Sequence, residues 1–200
     1  MRRTHREKVL QIARRQGVLR PFELDHYGIP RVILRRMEAS GQLITVSRGL
    51  YSLPDPKVTE HRAAVEVSKK IPRGTICLLS ALRFHGLTTQ NPREIWIAIG
   101  EKARRPKLET PPLRVVRFST ATLEAGVENH VEEGVMIRVF NPAKTVADCF
   151  KYRNKIGLNV ALEALHEAWS GRRCTSQELW KYAELCRVAN VMRPYLESLR

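Results

Sequence analysis

Ile29-Pro30-Arg31-Val32-Ile33-Leu34-Arg35-Arg36-Met37-Glu38-Ala39-Ser40-Gly41, continued by Gln42-Leu43-Ile44-Thr45-Val46-Ser47-Arg48-Gly49-Leu50-Tyr51, is the stretch that decides the fold. Pro30 lacks only an amide hydrogen that a first helical turn leaves unused, and Gly41 accepts the left-handed turn that closes a helix. The spacing therefore predicts a helix from Ile29-Pro30 to about Ser40. Leu34 and Met37, three apart and flanked by Ile33, form its apolar side, while Arg31 and Arg35, four apart, share another side with Arg36 at its flank. After Gly41 the pattern changes: Leu43–Val46 is β-prone, Ser47-Arg48-Gly49 is a turn, and Leu50–Leu53 returns as the partner strand.

Toward the N-terminus, Glu7–Gln16 carries Val9, Leu10, Ile12 and Ala13 at helical spacing and stops at Gly17. Pro21–His26 follows as a shorter helix with Pro21 near its first position and Gly28 as its stop. Three helices and then a hairpin are the order of a winged helix-turn-helix. Toward the C-terminus, Leu53-Pro54-Asp55-Pro56 ends the hairpin, because proline forbids continued strand pairing. The sequence thus divides into a winged helix-turn-helix domain over 1–56 and a second domain over 57–200.

Charge gives the first domain its expected partner. The 200 residues hold 35 Lys+Arg against 20 Asp+Glu, a net charge of +15, and residues 1–56 hold 11 of those cations against 5 acids. An excess this large points to polyanions, and a helix bearing arginines fits the major groove of double-stranded DNA, where a guanidinium can donate two hydrogen bonds to guanine. Arg31 and Arg35 are the expected base readers, with Arg36 beside them. The tight turn would carry Arg48 to the wing tip, within reach of a phosphate or the minor groove, and Arg2, Arg3 and Arg6 could do the same from the N-terminal side.

The second domain changes period several times. Glu60–Lys70 and Cys77–His85 are helical in pattern; Glu94–Ile99, Leu113–Phe118 and Val135–Phe140 alternate as three strands of one sheet. Helices return from Pro142, with Asn141 as cap, then over Asn159–Trp169, Ser176–Cys186 and Val188–Leu199. The fold class is α+β, with a small sheet and C-terminal helices. Lys102-Ala103-Arg104-Arg105-Pro106-Lys107 is a basic, solvated loop between the first two strands.

Several function classes drop out. Neither nucleotide-binding glycine loops nor zinc-protease and hydrolase signatures occur. Cys77, Cys149, Cys174 and Cys186 lack metal-ligand spacing and are expected to be reduced core thiols. No catalytic residue, cofactor or metal ligand is assigned, and Lys144 and Asp148, four apart, are expected to be a surface pair. No run approaches the roughly 18 apolar residues of a membrane span, and the basic N-terminus has no apolar region behind it, so a cytoplasmic protein is expected. The alternatives are a nuclease-like enzyme that uses the winged helix for targeting and acids such as Glu94, Glu101 or Asp148 to hold a metal, and an interaction protein gripping an acidic partner.

Gly41-Gln42-Leu43 after the third helix and Arg48-Gly49-Leu50-Tyr51 in the wing resemble the AbiEi antitoxins of AbiE-type (type IV) toxin-antitoxin systems, which act in phage resistance. Two further strings look similar to that family: Ser80-Ala81-Leu82 with His85-Gly86-Leu87-Thr88, and Pro142-Ala143-Lys144-Thr145-Val146-Ala147-Asp148. The resemblance implies a bacterial transcriptional autorepressor that binds inverted repeats in its own promoter as a monomer or weak dimer. It also implies an antitoxin domain that opposes a nucleotidyltransferase-like toxin without a stable complex; a repressor with no toxin partner is the variant of this reading. Carried over by position, the DNA contacts fall on Arg31, Arg35, Arg36 and Arg48. His85, Lys144 and Asp148 receive no chemistry from it.

Overall fold

The computed structural model describes residues 4–54 and 59–199. Asp55 and Pro56 at the expected domain boundary lie outside them, as do Arg2 and Arg3. The chain is α+β, as its sequence implies. It forms two compact units, one of residues 1–70 with 131–137 and one of residues 71–130 with 138–200. The first unit thus extends past residue 56 and takes in a short, distant piece of chain.

In the first unit, α1 (His5–Gln16) opens on a capping box: the Thr4 hydroxyl accepts from the Glu7 amide, and the Glu7 carboxylate accepts from the Thr4 amide at 2.9 Å. Gly17, at φ 65°, ends it. A two-residue strand β1 (Val18–Leu19) follows, then a 3-10 helix over Pro21–Tyr27 where an ordinary short helix was expected, and then α2 (Val32–Ala39). Strands β2 (Ile44–Ser47) and β3 (Leu50–Ser52) close the motif in a sheet of order β1-β3-β2, with β3 antiparallel to both neighbours. Val9, Ile12, Ala13, Leu19, Leu24, Ile29, Leu34, Met37 and Leu43 make one buried cluster. Each large side chain among them contributes about 1.5–3 kcal/mol by leaving water.

A further helix, α3 (Arg62–Lys70), is fastened to this motif: Lys69 Nζ lies 2.8 Å from Glu23 Oε1, and Arg20 donates to the Lys69 carbonyl at 3.1 Å. Residues 131–137 add a turn at Glu133 and Gly134, whose φ values of 50° and 73° suit a tight two-residue hairpin. The Glu133 carboxylate, nearly buried, accepts from the Thr59 amide at 3.0 Å and pairs with the Arg62 guanidinium. Gly134 comes so close to α1 that an added Cβ would stand 2.6 Å from the Gln16 carbonyl carbon.

A sheet of five strands, β4 (Thr75–Ile76), β5 (Ile95–Gly100), β6 (Leu113–Phe118), β7 (Val127–Glu132) and β8 (Val135–Phe140), has the order β6-β5-β4-β8-β7, and all of it except the residues of 131–137 belongs to the second unit. Two of them go beyond the three expected. β4 is too short to show a period, and Val127–Glu132 carries acids and a histidine in place of an apolar alternation. Helices α4 (Leu78–Phe84) and α5 (Thr120–Glu124) lie between strands in the chain, and α6 (Pro142–Lys151), α7 (Arg153–Ile156), α8 (Leu158–Ser170), α9 (Ser176–Leu185) and α10 (Ala189–Glu197) follow them. α6 is buried along almost its whole length and packs against α4, α8 and α9. Among the described residues, no helix is long and apolar enough to cross a membrane.

Candidate nucleic-acid interface

α2 buries Leu34 and Met37 and leaves Val32, Arg35, Arg36, Glu38 and Ala39 exposed, so its solvent side carries two arginines against one acid. The helix presents this side because its apolar residues recur three apart and lock it against α1 and the sheet. Among the described residues neither Arg35 nor Arg36 forms an ion pair. Both guanidiniums are therefore presented to solvent without a carboxylate.

Arg31 differs. It stands just before α2, and its Nε donates to Asp25 Oδ1 at 2.9 Å while its Nη2 donates to Asp25 Oδ2, a two-pronged grip on one carboxylate. The arginine in turn holds the Asp25 carboxyl below the usual carboxylate range, chiefly through the hydrogen bond. Both side chains are about half exposed, 57% and 50%. A phosphate or base reaching Arg31 would have to displace Asp25. Nothing in the spacing signals this pairing, because Asp25 belongs to the preceding 3-10 helix and meets Arg31 only in the folded turn.

The remaining candidates sit around α2. Arg48 is exposed in the turn between β2 and β3, and Gly49 at φ 75° makes that turn tight. Arg6, on α1, donates to the Gln42 side-chain oxygen and to Ser40 Oγ at 3.1 Å, just beyond the C-terminal end of α2. These partners are neutral, so its positive charge is held in place and not cancelled. Glu38, the one acid of α2, accepts from the Thr45 hydroxyl on β2. Arg31, Arg35, Arg36, Arg48 and Arg6 thus all belong to the winged helix, while Arg2 and Arg3 fall outside the described residues.

Sequence reasoning passed over Val32. It is 51% exposed and lies one turn before Arg35 and Arg36 on the same side of α2. A branched apolar side chain among arginines on a solvent-facing helix is what contact with a thymine methyl requires. The only signal in the sequence was its position three and four residues before the arginine pair.

The polar residues of the second unit turn inward instead. Lys144 and Asp148 are both fully buried and their side chains meet at 2.5 Å, so the expected surface pair is a core pair. The Lys144 ammonium lies over the Phe140 and Phe118 rings at 4.2 and 4.9 Å, and Asp148 also accepts from the Cys186 thiol at 3.3 Å. Burial pushes the Asp148 carboxyl up, against the pull of Lys144, and pushes the Cys77 and Cys149 thiols well up. Asn141 caps α6 by accepting from the Lys144 amide at 2.8 Å, and Thr145 donates to the Phe140 carbonyl at 3.0 Å. His85, buried and kept neutral by desolvation, bonds the same carbonyl at 2.7 Å. These residues tie helices to the sheet, and none faces an open cleft. Among the described residues no cluster of three or more His, Cys, Asp and Glu side chains gathers as a metal site would.

The crystal structure of RV2827C protein from Mycobacterium tuberculosis superposes on the chain with a TM-score of 0.58, covering 92% of this chain and 72% of that one at 14% sequence identity. That likeness is one of fold. No curated protein sequence matches the chain. Residues 7–54, which carry the helices, the wing and four of the seven arginines named above, with Arg6 just ahead of them, match the model of the family described as transcriptional regulator, AbiEi antitoxin.

Proposed function

We propose that the protein is a DNA-binding transcriptional autorepressor and the antitoxin of a type IV toxin-antitoxin system, working in the cytoplasm. The observation that carries this reading is the exposed pair Arg35 and Arg36 on α2, backed by Arg48 in the wing, within a segment matched by a regulator family. In this reading Arg35 and Arg36 enter the major groove of inverted repeats in the promoter, Val32 meets a thymine methyl, and Arg48 and Arg6 contact phosphates. Arg31 joins them on releasing Asp25. Two copies occupy the repeats as monomers or as a weak dimer. The second unit opposes a nucleotidyltransferase-like toxin without forming a stable complex with it and without itself being an enzyme.

The test is binding to a labelled fragment from upstream of the gene against a scrambled fragment of equal length, at two salt concentrations. A preference for the upstream fragment that survives the higher salt supports the repressor reading. Equal binding to both, erased by salt, reduces the surface to non-specific attachment and refutes it. Rescue of cells from the product of the adjacent gene then tests the antitoxin half.

A further inference from the structure

At the free edge of the five-stranded sheet, the second unit holds a cavity of about 520 Å³, within the size range of small-ligand sites. Its composition is unusual for a gap at a sheet edge. Trp96 and Arg114 are register partners on the parallel strands β5 and β6, so their side chains emerge side by side on one face. The Arg114 guanidinium lies 5.4 Å from the Trp96 ring. Val116, two residues along β6 and nearly buried, continues that face. Tyr152 and Lys155, from the end of α6 and from α7, supply the opposite wall, with the Lys155 ammonium 5.6 Å from the Tyr152 ring. Arg117 also borders the cavity, but it alternates to the other face of β6, where one of its terminal nitrogens donates to the Gly100, Glu101 and Ala103 carbonyls.

Two cations, Arg114 and Lys155, therefore line a cavity whose walls include aromatic surface. Glu94 sits 3.8 Å from Arg114, with both side chains about half exposed. Phe118 backs the Tyr152 ring at 5.8 Å, which holds the ring in place. Lys155 is exposed on a flexible stem, and its ammonium can move from the ring to an incoming anion. An anion alone would need no aromatic wall, and an apolar ligand would need no cations. The two together suit a planar base stacked on an aromatic ring with its phosphate against Arg114 and Lys155.

We propose that this cavity binds a nucleoside phosphate, either as a free mononucleotide or as the end of a single strand. The site is separate from the winged helix, and the proposal stands whether or not the regulator reading does. Its test is calorimetric titration of the full chain with the four ribonucleoside monophosphates, with inorganic phosphate, and with a short single-stranded oligonucleotide. Saturable binding of a mononucleotide or of the oligonucleotide, tighter than that of phosphate, is expected, and which of the two binds identifies the source. Tyr152→Leu should weaken nucleotide binding by about tenfold or more while leaving phosphate binding in place. Lys155→Glu, at an exposed position that does not threaten folding, should weaken both. Three results would overturn the proposal: no saturable binding, equal affinity for phosphate and nucleotide, or nucleotide binding that Lys155→Glu leaves unchanged. Loss of binding in Arg35→Ala in place of Lys155→Glu would move the site to α2 and also refute it.

Discussion

Lys144→Met should be among the most destabilising single changes in the second unit, and its cost should depend on pH in a way that identifies the cause. Lys144 and Asp148 are wholly buried, and the ammonium is the countercharge nearest to the carboxylate. Without it, Asp148 must either remain ionised in the core or take up a proton. An isolated buried carboxylate is the costlier course, so it protonates. An ordinary aspartate titrates near 3.9, about three units below neutrality, and each unit is worth about 1.4 kcal/mol, so forced protonation costs about 4 kcal/mol at pH 7. At pH 5 the same step costs about 1.5 kcal/mol. Denaturant unfolding of wild type and variant at both pH values measures the difference. The gap should be near 4 kcal/mol at pH 7 and should narrow by more than half at pH 5. Adding Asp148→Leu should return most of the loss at neutral pH, since two apolar side chains of similar volume commonly replace a buried ion pair without cost. A single-variant cost under about 1 kcal/mol, or one equal at both pH values, would refute the argument.

Three further outcomes are expected. Arg35→Ala should weaken binding to the specific DNA fragment by about 1–3 kcal/mol and relax preference at one base position, whereas loss of a phosphate contact by Arg48→Ala should chiefly lower the salt slope; band-shift titrations at several salt concentrations separate the two. Burial holds the His85 imidazole below its ordinary value, so below about pH 6.5 the unfolded chain binds a proton that the folded one refuses, and stability falls with falling pH in that window; His85→Gln should show a shallower fall over the same range in thermal melts. Gly134→Ala combines a φ of 73° with a Cβ placed 2.7 Å from the Arg15 carbonyl oxygen, and should lower stability by about 1–3 kcal/mol, visible as a shifted denaturant midpoint.

The winged helix was largely legible because its signals are local: glycines at helix ends, prolines at first turns, apolar residues three apart. What escaped was either too short or too far apart in the chain. Two-residue strands such as Val18–Leu19 and Thr75–Ile76 have no period, and Val127–Glu132 lacks the apolar alternation that marks a half-buried strand. The positions of Arg31, Arg35, Arg36 and Arg48 in the motif followed from spacing, but the hold of Asp25 on Arg31 comes from the fold of a turn and could not. Lys144 and Asp148 illustrate the same limit. Their four-residue spacing predicts that they meet, and says nothing of whether they meet in water or in the core, because α6 carries apolar residues on every side and its polar pair has no solvent face to occupy.

The first unit is discontinuous in the chain, and this constrains the order in which it can be made. Thr59 and Arg62 are in place once residue 70 has been synthesised, yet their partner Glu133 and the Gly134 contact with α1 arrive about 64 residues later. At translation rates of about 5–20 residues per second, that is a wait of about 3–13 s. During it, the nascent winged helix carries an Arg62 matched by Glu66 alone and an uncovered stretch of α1 beside a growing polypeptide. Synonymous codon changes that slow or hasten residues 71–137 should therefore alter the yield of soluble protein without altering its sequence.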